Sequence, residues 1–206
     1  LLSVSGCYFG ANSTYSADGG AVYLSEIAAN LYNTHFVNNE SGNNAGAIYF
    51  WECDVTMQSV SVQSNFSYGR GGAMYQDGGS AIVSDSIFSL NNTDYRPGGA
   101  IYLLSATSVL IDTDFVDNYS ADTGGAIYSD VSDVTLVRAS FNSNESENNG
   151  GAMYLNSGSL SASGSVFNNS IVYSGNGGAI YSNDCDIFVN NSTFSSNATT
   201  DNGGAL

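Results

Sequence analysis

Apolar and polar residues alternate in short bursts along this chain, and the alternation has period two rather than the 3.6-residue period of an amphipathic helix. Apolar pairs two residues apart recur at Leu2/Val4, Ala29/Leu31, Val55/Met57, Ala81/Val83, Val134/Leu136, Leu160/Ala162 and Ile187/Val189. One further burst keeps Leu110 but has Ser108 in the first place. The intervening and flanking residues are mostly Ser, Thr, Asp or Asn, so each burst predicts a short strand with one buried face. A second short strand is predicted around Val22, Ile48, Met74, Ile101, Ile127, Met153 and Ile180. A third approaches a column made of Phe9, Phe36, Val62, Phe88, Phe115, Phe141, Phe167 and Phe194. The abundance of Gly, Ser, Asn, Thr and β-branched residues argues against helix throughout.

These bursts are locked to an internal repeat. Gly-Gly-Ala plus an apolar residue begins at Gly19, Gly71, Gly98, Gly124, Gly150, Gly177 and Gly203, and Ala45-Gly46-Ala47-Ile48 fills the one gap. Successive starts are 26 or 27 residues apart, and the Phe/Val column follows each start by 17 residues. All length variation falls between that column and the next Gly-Gly, a segment that reads as a tolerant loop. Three short strands and three bends per repeat describe one turn of a solenoid. Leucine-rich and propeller repeats have other periods. The reading is all-β: a single right-handed parallel β-helix over residues 1–206, of about eight coils, the hand following from the general preference of parallel crossovers. The Gly pair supplies positive φ at a corner, and the Phe column stacks one ring per coil in the core. Cys7, Thr34, Val60, Ser86, Thr113, Ala139, Ser165 and Ser192 form an inward column of mostly small residues.

Gly-Gly-Ala-Ile alternating with Phe-x-x-Asn, as at Phe9/Asn12, Phe36/Asn39, Phe88/Asn91, Phe115/Asn118, Phe141/Asn144 and Phe194/Asn197, resembles the repeats of the chlamydial polymorphic outer membrane proteins. The motif is altered at Val62/Asn65 and lost at Phe167/Ser170. The resemblance covers essentially the whole chain. It implies a right-handed parallel β-helix on a cell surface, serving as an adhesin or a stalk.

Charge narrows the function. The chain of 206 residues carries 19 acidic residues against three basic ones, a net charge of −16. Arg70, Arg96 and Arg138 cannot assemble a basic stripe, so nucleic acid is not a partner, and an anionic membrane surface would repel the chain. No 18-residue apolar run predicts membrane insertion. One histidine, His35, and no Cys-x-x-Cys pair leave no ordinary zinc site.

Every Asn of the Phe/Val-x-x-Asn column (Asn12, Asn39, Asn65, Asn91, Asn118, Asn144, Asn197) is followed two places on by Ser or Thr with no intervening proline. Each is therefore an N-glycosylation acceptor tripeptide. Asn168 supplies a shifted one in the coil that lacks the column Asn, and Asn190 and Asn191 begin two more. Two readings compete: attached N-glycans on a secreted protein, or an internal amide ladder in which stacked Asn side chains bond coil to coil. Tyr23, Tyr49, Tyr75, Tyr102, Tyr128, Tyr154 and Tyr181 each follow the apolar residue after Gly-Gly-Ala, so alternation puts them outside the coil. They form an amphipathic strip that either meets a partner chain or sugar, or stacks on itself to stiffen the rod.

Acidic runs at Asp112/Asp114/Asp117, Asp130/Asp133 and Asp184/Asp186 are spread over several coils, with only Arg138 near a pair. They read as a solvated face or weak structural Ca²⁺ ligands rather than catalytic carboxylates, so no catalytic residue and no cofactor are assigned. Cys53 and Cys185 lie too many coils apart to bridge and read as exposed bend residues, whereas Cys7 reads as core. The functional expectation is an extracellular structural glycoprotein, a β-helical rod or filament of the cell surface, partnered by copies of itself. A surface adhesin binding a host or sugar ligand is the alternative, and a carbohydrate-active β-helix enzyme the third. The uncapped Leu1-Leu2 start and Gly203–Leu206 close predict further coils or neighbouring copies over both ends.

Overall fold

In the computed structural model, which describes residues 1–206, the chain has no helix and winds into a stack of parallel coils with three sheets. The first sheet has 12 strands and the other two have 8 each, all paired in parallel with partners from adjacent coils. Register follows the repeat: Phe88 pairs Phe115, Phe115 pairs Phe141, and Tyr75 pairs Tyr102. Backbone hydrogen bonds run coil to coil even through the corners, as from the Gly98 N–H to the Thr123 carbonyl.

Each complete coil turns at four corners in the left-handed region rather than at the three bends expected. In the coil starting at Gly98 these are Gly98 (φ 80), Ser105 (φ 49), Asp112 (φ 46) and Asp117 (φ 53). The added corner comes from a two-residue strand, such as Tyr119–Ser120 or Glu145–Ser146, in the segment read as a tolerant loop. Its brevity and its inward Ser or Thr hid it from a hydrophobic pattern. In the later coils the first two strands fuse into single strands of 11 residues, Ile127–Val137, Met153–Ser163 and Ile180–Asn190.

The two glycines of the repeat do different work. Gly71 takes φ 67, as first-position glycines do throughout, whereas a Cβ on the second, Gly72, would collide with the carbonyl oxygen of Gly99 one coil away. Ala45 shows that the first place tolerates a side chain, at φ 59. Every second place from Gly20 to Gly204 is glycine.

The core is a column of fully buried side chains: Phe36, Val62, Phe88, Phe115, Phe141 and Phe167. The rings of Phe115, Phe141 and Phe167 stack at 4.7 Å with planes within 6°. Ile48, Met74, Ile101, Ile127, Met153 and Ile180 close the same interior. The cysteines reverse their expected places. Cys53 is fully buried, in a column whose neighbours one and two coils on are Gly79 and Ala106. Flanking Glu52 and Asp54 point outward, and that polar context suggested exposure. Cys7, in the first of the described coils, is exposed, whereas Thr34, Val60 and Ser86 in the same column are buried. Cys185 is half-buried, and all three thiols are free.

Candidate functional site

The column asparagines decide between glycan and ladder by where they sit. Asn39, Asn65, Asn91, Asn118 and Asn144 are at most 1% exposed. The Asn91 Nδ2 donates to Oδ1 of Asn118 (3.0 Å) and to the Val62 carbonyl one coil back (2.9 Å). Its Oδ1 in turn accepts from both Nδ2 and the backbone N–H of Asn65, each at 3.0 Å. Asn39, Asn65 and Asn118 repeat this pattern. Both donors and the acceptor are used, so each carboxamide is satisfied inside the wall.

The Ser or Thr two places on has its own structural task. Strand alternation carries it to the same inner face, where the Ser120 hydroxyl donates to the Thr123 carbonyl and accepts from the Asp122 N–H. Ser41 and Ser67 do the same in their coils. The acceptor tripeptide is therefore an amide rung plus a turn clasp, and glycans at Asn39, Asn65, Asn91, Asn118 and Asn144 are incompatible with this fold. Asn12 and Asn197 extend the ladder at its ends, each using Nδ2 as a donor. The Asn168 Nδ2 donates to Asn142 Oδ1. Only Asn190 and Asn191, both exposed, keep side-chain amides free of hydrogen bonds.

The seven tyrosines stack without a gap at 4.8 to 5.1 Å. Tyr49, Tyr75 and Tyr102, with Tyr128 packed against them, form a cluster separate from the main interior. The strip is not open along its length, however. Tyr49, Tyr75 and Tyr102 are buried against Ala45, and the Arg70 guanidinium sits 5.4 Å from the Tyr102 ring centre. The Tyr49 and Tyr102 hydroxyls point toward Asp77 and Asp130, at 3.5 and 3.3 Å. Burial first, then these carboxylates, pushes the phenols up, Tyr75 and Tyr128 to about 12. Tyr23 is about half exposed, and Tyr128, Tyr154 and Tyr181 are half-buried.

The acidic runs do not converge. No group of three or more His, Cys, Asp or Glu side chains is placed to hold a metal ion. Arg138 is held by Asp112 in a two-point pair, at 2.7 and 2.6 Å, and this hydrogen bonding keeps the Asp112 carboxyl below its usual range. That arginine is committed.

One region escaped the sequence reading, because its residues interrupt the repeat instead of making it. On the outer side of the third sheet, Tyr15, Glu40, Gly42 and Tyr68 line an open cavity of about 540 Å³ with Ser13 and Thr14. Four coils further along, the same positions are closed by side chains: Tyr119 donates to Glu147 and Tyr173 to Glu145, both at 2.6 Å. Both phenols are pushed up, Tyr119 chiefly by burial and Tyr173 chiefly by its hydrogen bond to Glu145.

Residues 112–130 match the Chlamydia polymorphic membrane protein repeat. The matched span contains Phe115, Asn118 and Gly124–Ile127, that is, a stacked ring, a ladder rung and a corner. One repeat of the chain is thus similar to those of this family, and the coils stacked on either side of it form a parallel β-solenoid. Comparisons with curated proteins and with solved structures give no match.

Proposed function

We propose that this protein is a non-enzymatic structural rod of the cell surface, in which the β-helix serves as a stiff extracellular stalk or filament element. The observation that carries this reading is the satisfaction of the Asn ladder through the mid-stack wall, alongside uninterrupted Tyr stacking. Such columns make each coil an equivalent spacer and concentrate the chemistry of the chain in rigidity. The dispersed carboxylates and the committed Arg138 favour a rod over a hydrolase or lyase, and no cofactor enters the proposal. Self-association through copies of the chain belongs to the same reading. Glycans, if attached, belong at Asn190 and Asn191.

Two measurements test this. Labelling of intact source cells with an antibody to the folded chain should mark the surface, and particles imaged by electron microscopy should be straight rods or filaments. Intracellular location with compact, unextended particles would overturn it. Peptide mapping should find any N-linked sugar confined to Asn190 and Asn191, and sugar at Asn91 or Asn118 would contradict the ladder itself. The adhesin reading shares the rod and adds a ligand, and it is favoured by the one open, aromatic cavity on the outer face.

A further inference from the structure

The outer face of the third sheet carries two Glu/Tyr clusters at corresponding positions, one closed and one open, which share Glu40/Glu145 and Tyr68/Tyr173. In register, Ser13 pairs Glu40 and Glu40 pairs Phe66, which brings Tyr15, Gly42 and Tyr68 into one column on three successive coils. The corresponding closed column runs Ala121, Glu147 and Tyr173, beside Tyr119, Glu145 and Ile171. There each tyrosine reaches a glutamate and the space is filled. In the open copy glycine replaces the second glutamate. A Cβ at Gly42 would collide with the Tyr15 carbonyl, so this backbone admits no side chain between the two tyrosines. Tyr68 does not reach Glu40 as Tyr173 reaches Glu145, but packs edge-on against Phe66, ring centres 4.8 Å apart.

We propose that the cavity between Tyr15 and Tyr68 binds an organic cation of the quaternary-ammonium class. The dimensions suit it. Coil spacing sets the Tyr15 and Tyr68 backbones about 9.6 Å apart, and Tyr15 is fully and Tyr68 about half exposed, so both rings are free to close on a trimethylammonium group about 6 Å across. A cation held beside Glu40 would then come within the roughly 6 Å range of cation–π attraction to these rings. The charge suits it as well. Glu40 is the only ionisable group lining the cavity other than the two phenols, it is exposed, and it makes no hydrogen bond or ion pair. None of the three arginines lines this cavity, and the chain carries a net charge of −16, so its own side chains supply no cation there while its field attracts one. A neutral sugar would gain from the rings but leave the Glu40 charge unanswered. This site stands whether or not the rod is a filament.

The test is a titration of the full chain with choline chloride, followed through the backbone amide resonances of Glu40 and Gly42. Saturable shifts confined to these coils are expected, with a dissociation constant of about 1 mM. The neutral isostere 3,3-dimethylbutan-1-ol should bind at least about tenfold more weakly, since it has the shape without the charge. Glu40→Gln and Tyr68→Ala should each weaken choline about five- to tenfold, while Glu145→Gln, in the closed copy, should leave it unchanged. Amide shifts elsewhere in the stack report that each variant is folded. Equal binding of the isostere would overturn the proposal in favour of a plain apolar cleft. Saturation by methyl glucoside without saturation by choline would overturn it in favour of a sugar site. Absence of a saturable shift with choline up to about 50 mM would overturn it outright.

Discussion

The Asn ladder and the Tyr ladder arise from the same repetition, one residue per coil, yet they are held by different physics. The Asn column lies inside the wall, and the amides of Asn39, Asn65, Asn91 and Asn118 each close two donor and two acceptor contacts with their neighbours. The Tyr column lies outside the main core and is held by ring stacking and partial cover. Loss of an amide strands buried polar groups on both sides, whereas loss of a ring strands nothing polar. The inner column should therefore respond sharply to single substitutions and the outer one to conditions that titrate phenols.

The largest expected effect is not polar at all. Phe115→Ala in mid-stack removes a ring stacked on both Phe88 and Phe141 and should cost about 3–5 kcal/mol. Chemical denaturation read by circular dichroism checks this, and an unchanged midpoint would place the stabilising burial elsewhere. Asn118→Ala in the same coil should follow at about 2–4 kcal/mol, because it takes the acceptor from the backbone N–H and Nδ2 of Asn91 and the side-chain donor from the Phe88 carbonyl, while Asn144 Oδ1 keeps only the residue-118 N–H. Asn118→Asp keeps the acceptor and removes the donor, so it should also destabilise. If either costs less than about 0.5 kcal/mol, water is replacing the rung and the ladder is not the source of rigidity.

The outer column predicts a pH response. Tyr75 and Tyr128 have phenol pKa values raised to about 12, against about 10 for the unfolded chain. The folded state thus holds these protons more tightly. Their stabilising contribution is complete below pH about 10 and is lost as pH rises toward about 12. Unfolding midpoints should be flat from pH 7 to about 9.5 and then fall, with the ring resonances of Tyr75 and Tyr128 shifting to the tyrosinate only together with loss of fold. Ionisation of Tyr75 itself at pH about 10, read from its ring resonances with the fold intact, would show that the cover over Tyr75 is loose.

Much of this was legible in the sequence, and the failures share a cause. Periodicity displays what repeats, so the coil number, the Phe column and the Gly corners could be read directly from Gly19 to Phe194. What lies on each side of the wall is harder to read. An Asn-x-Ser/Thr tripeptide has the same letters whether it is a glycan acceptor or a rung and clasp. Only the burial of Asn91 and the Ser120 contact to Thr123 distinguish them. The Tyr strip was placed on the correct side by alternation, but the covering contacts come from Ala45 and Arg70, which lie at corners where alternation says nothing. Cys53 misled because flanking acids report the faces of its neighbours, not its own. The Tyr15–Glu40–Tyr68 cavity was invisible because it consists of departures from the repeat.

The smallest effect makes the sharpest test of the ladder, because it repairs it. At Ser170 the column is broken: the Ser170 hydroxyl is buried without a partner, and Asn144 Nδ2 keeps only its bond to the Phe115 carbonyl. The Ser170 N–H still donates to Asn197 Oδ1 at 3.0 Å, so the backbone here follows the same path as at the intact rungs. Ser170→Asn would offer an Oδ1 to the N–H and Nδ2 of Asn144. Its own Nδ2 would reach the Phe141 carbonyl and Asn197 Oδ1, the partners that register dictates. Against the side-chain ordering this requires, the net gain should be about 1–2 kcal/mol. The substitution also removes the acceptor tripeptide at Asn168, so both proteins should be made in a host without N-glycosylation. A raised denaturation midpoint with an unchanged slope would identify the break as a repairable gap. An equal or lower midpoint would mean that the walls around Ser170 have closed in on the smaller side chain, and that the ladder there gave way to packing.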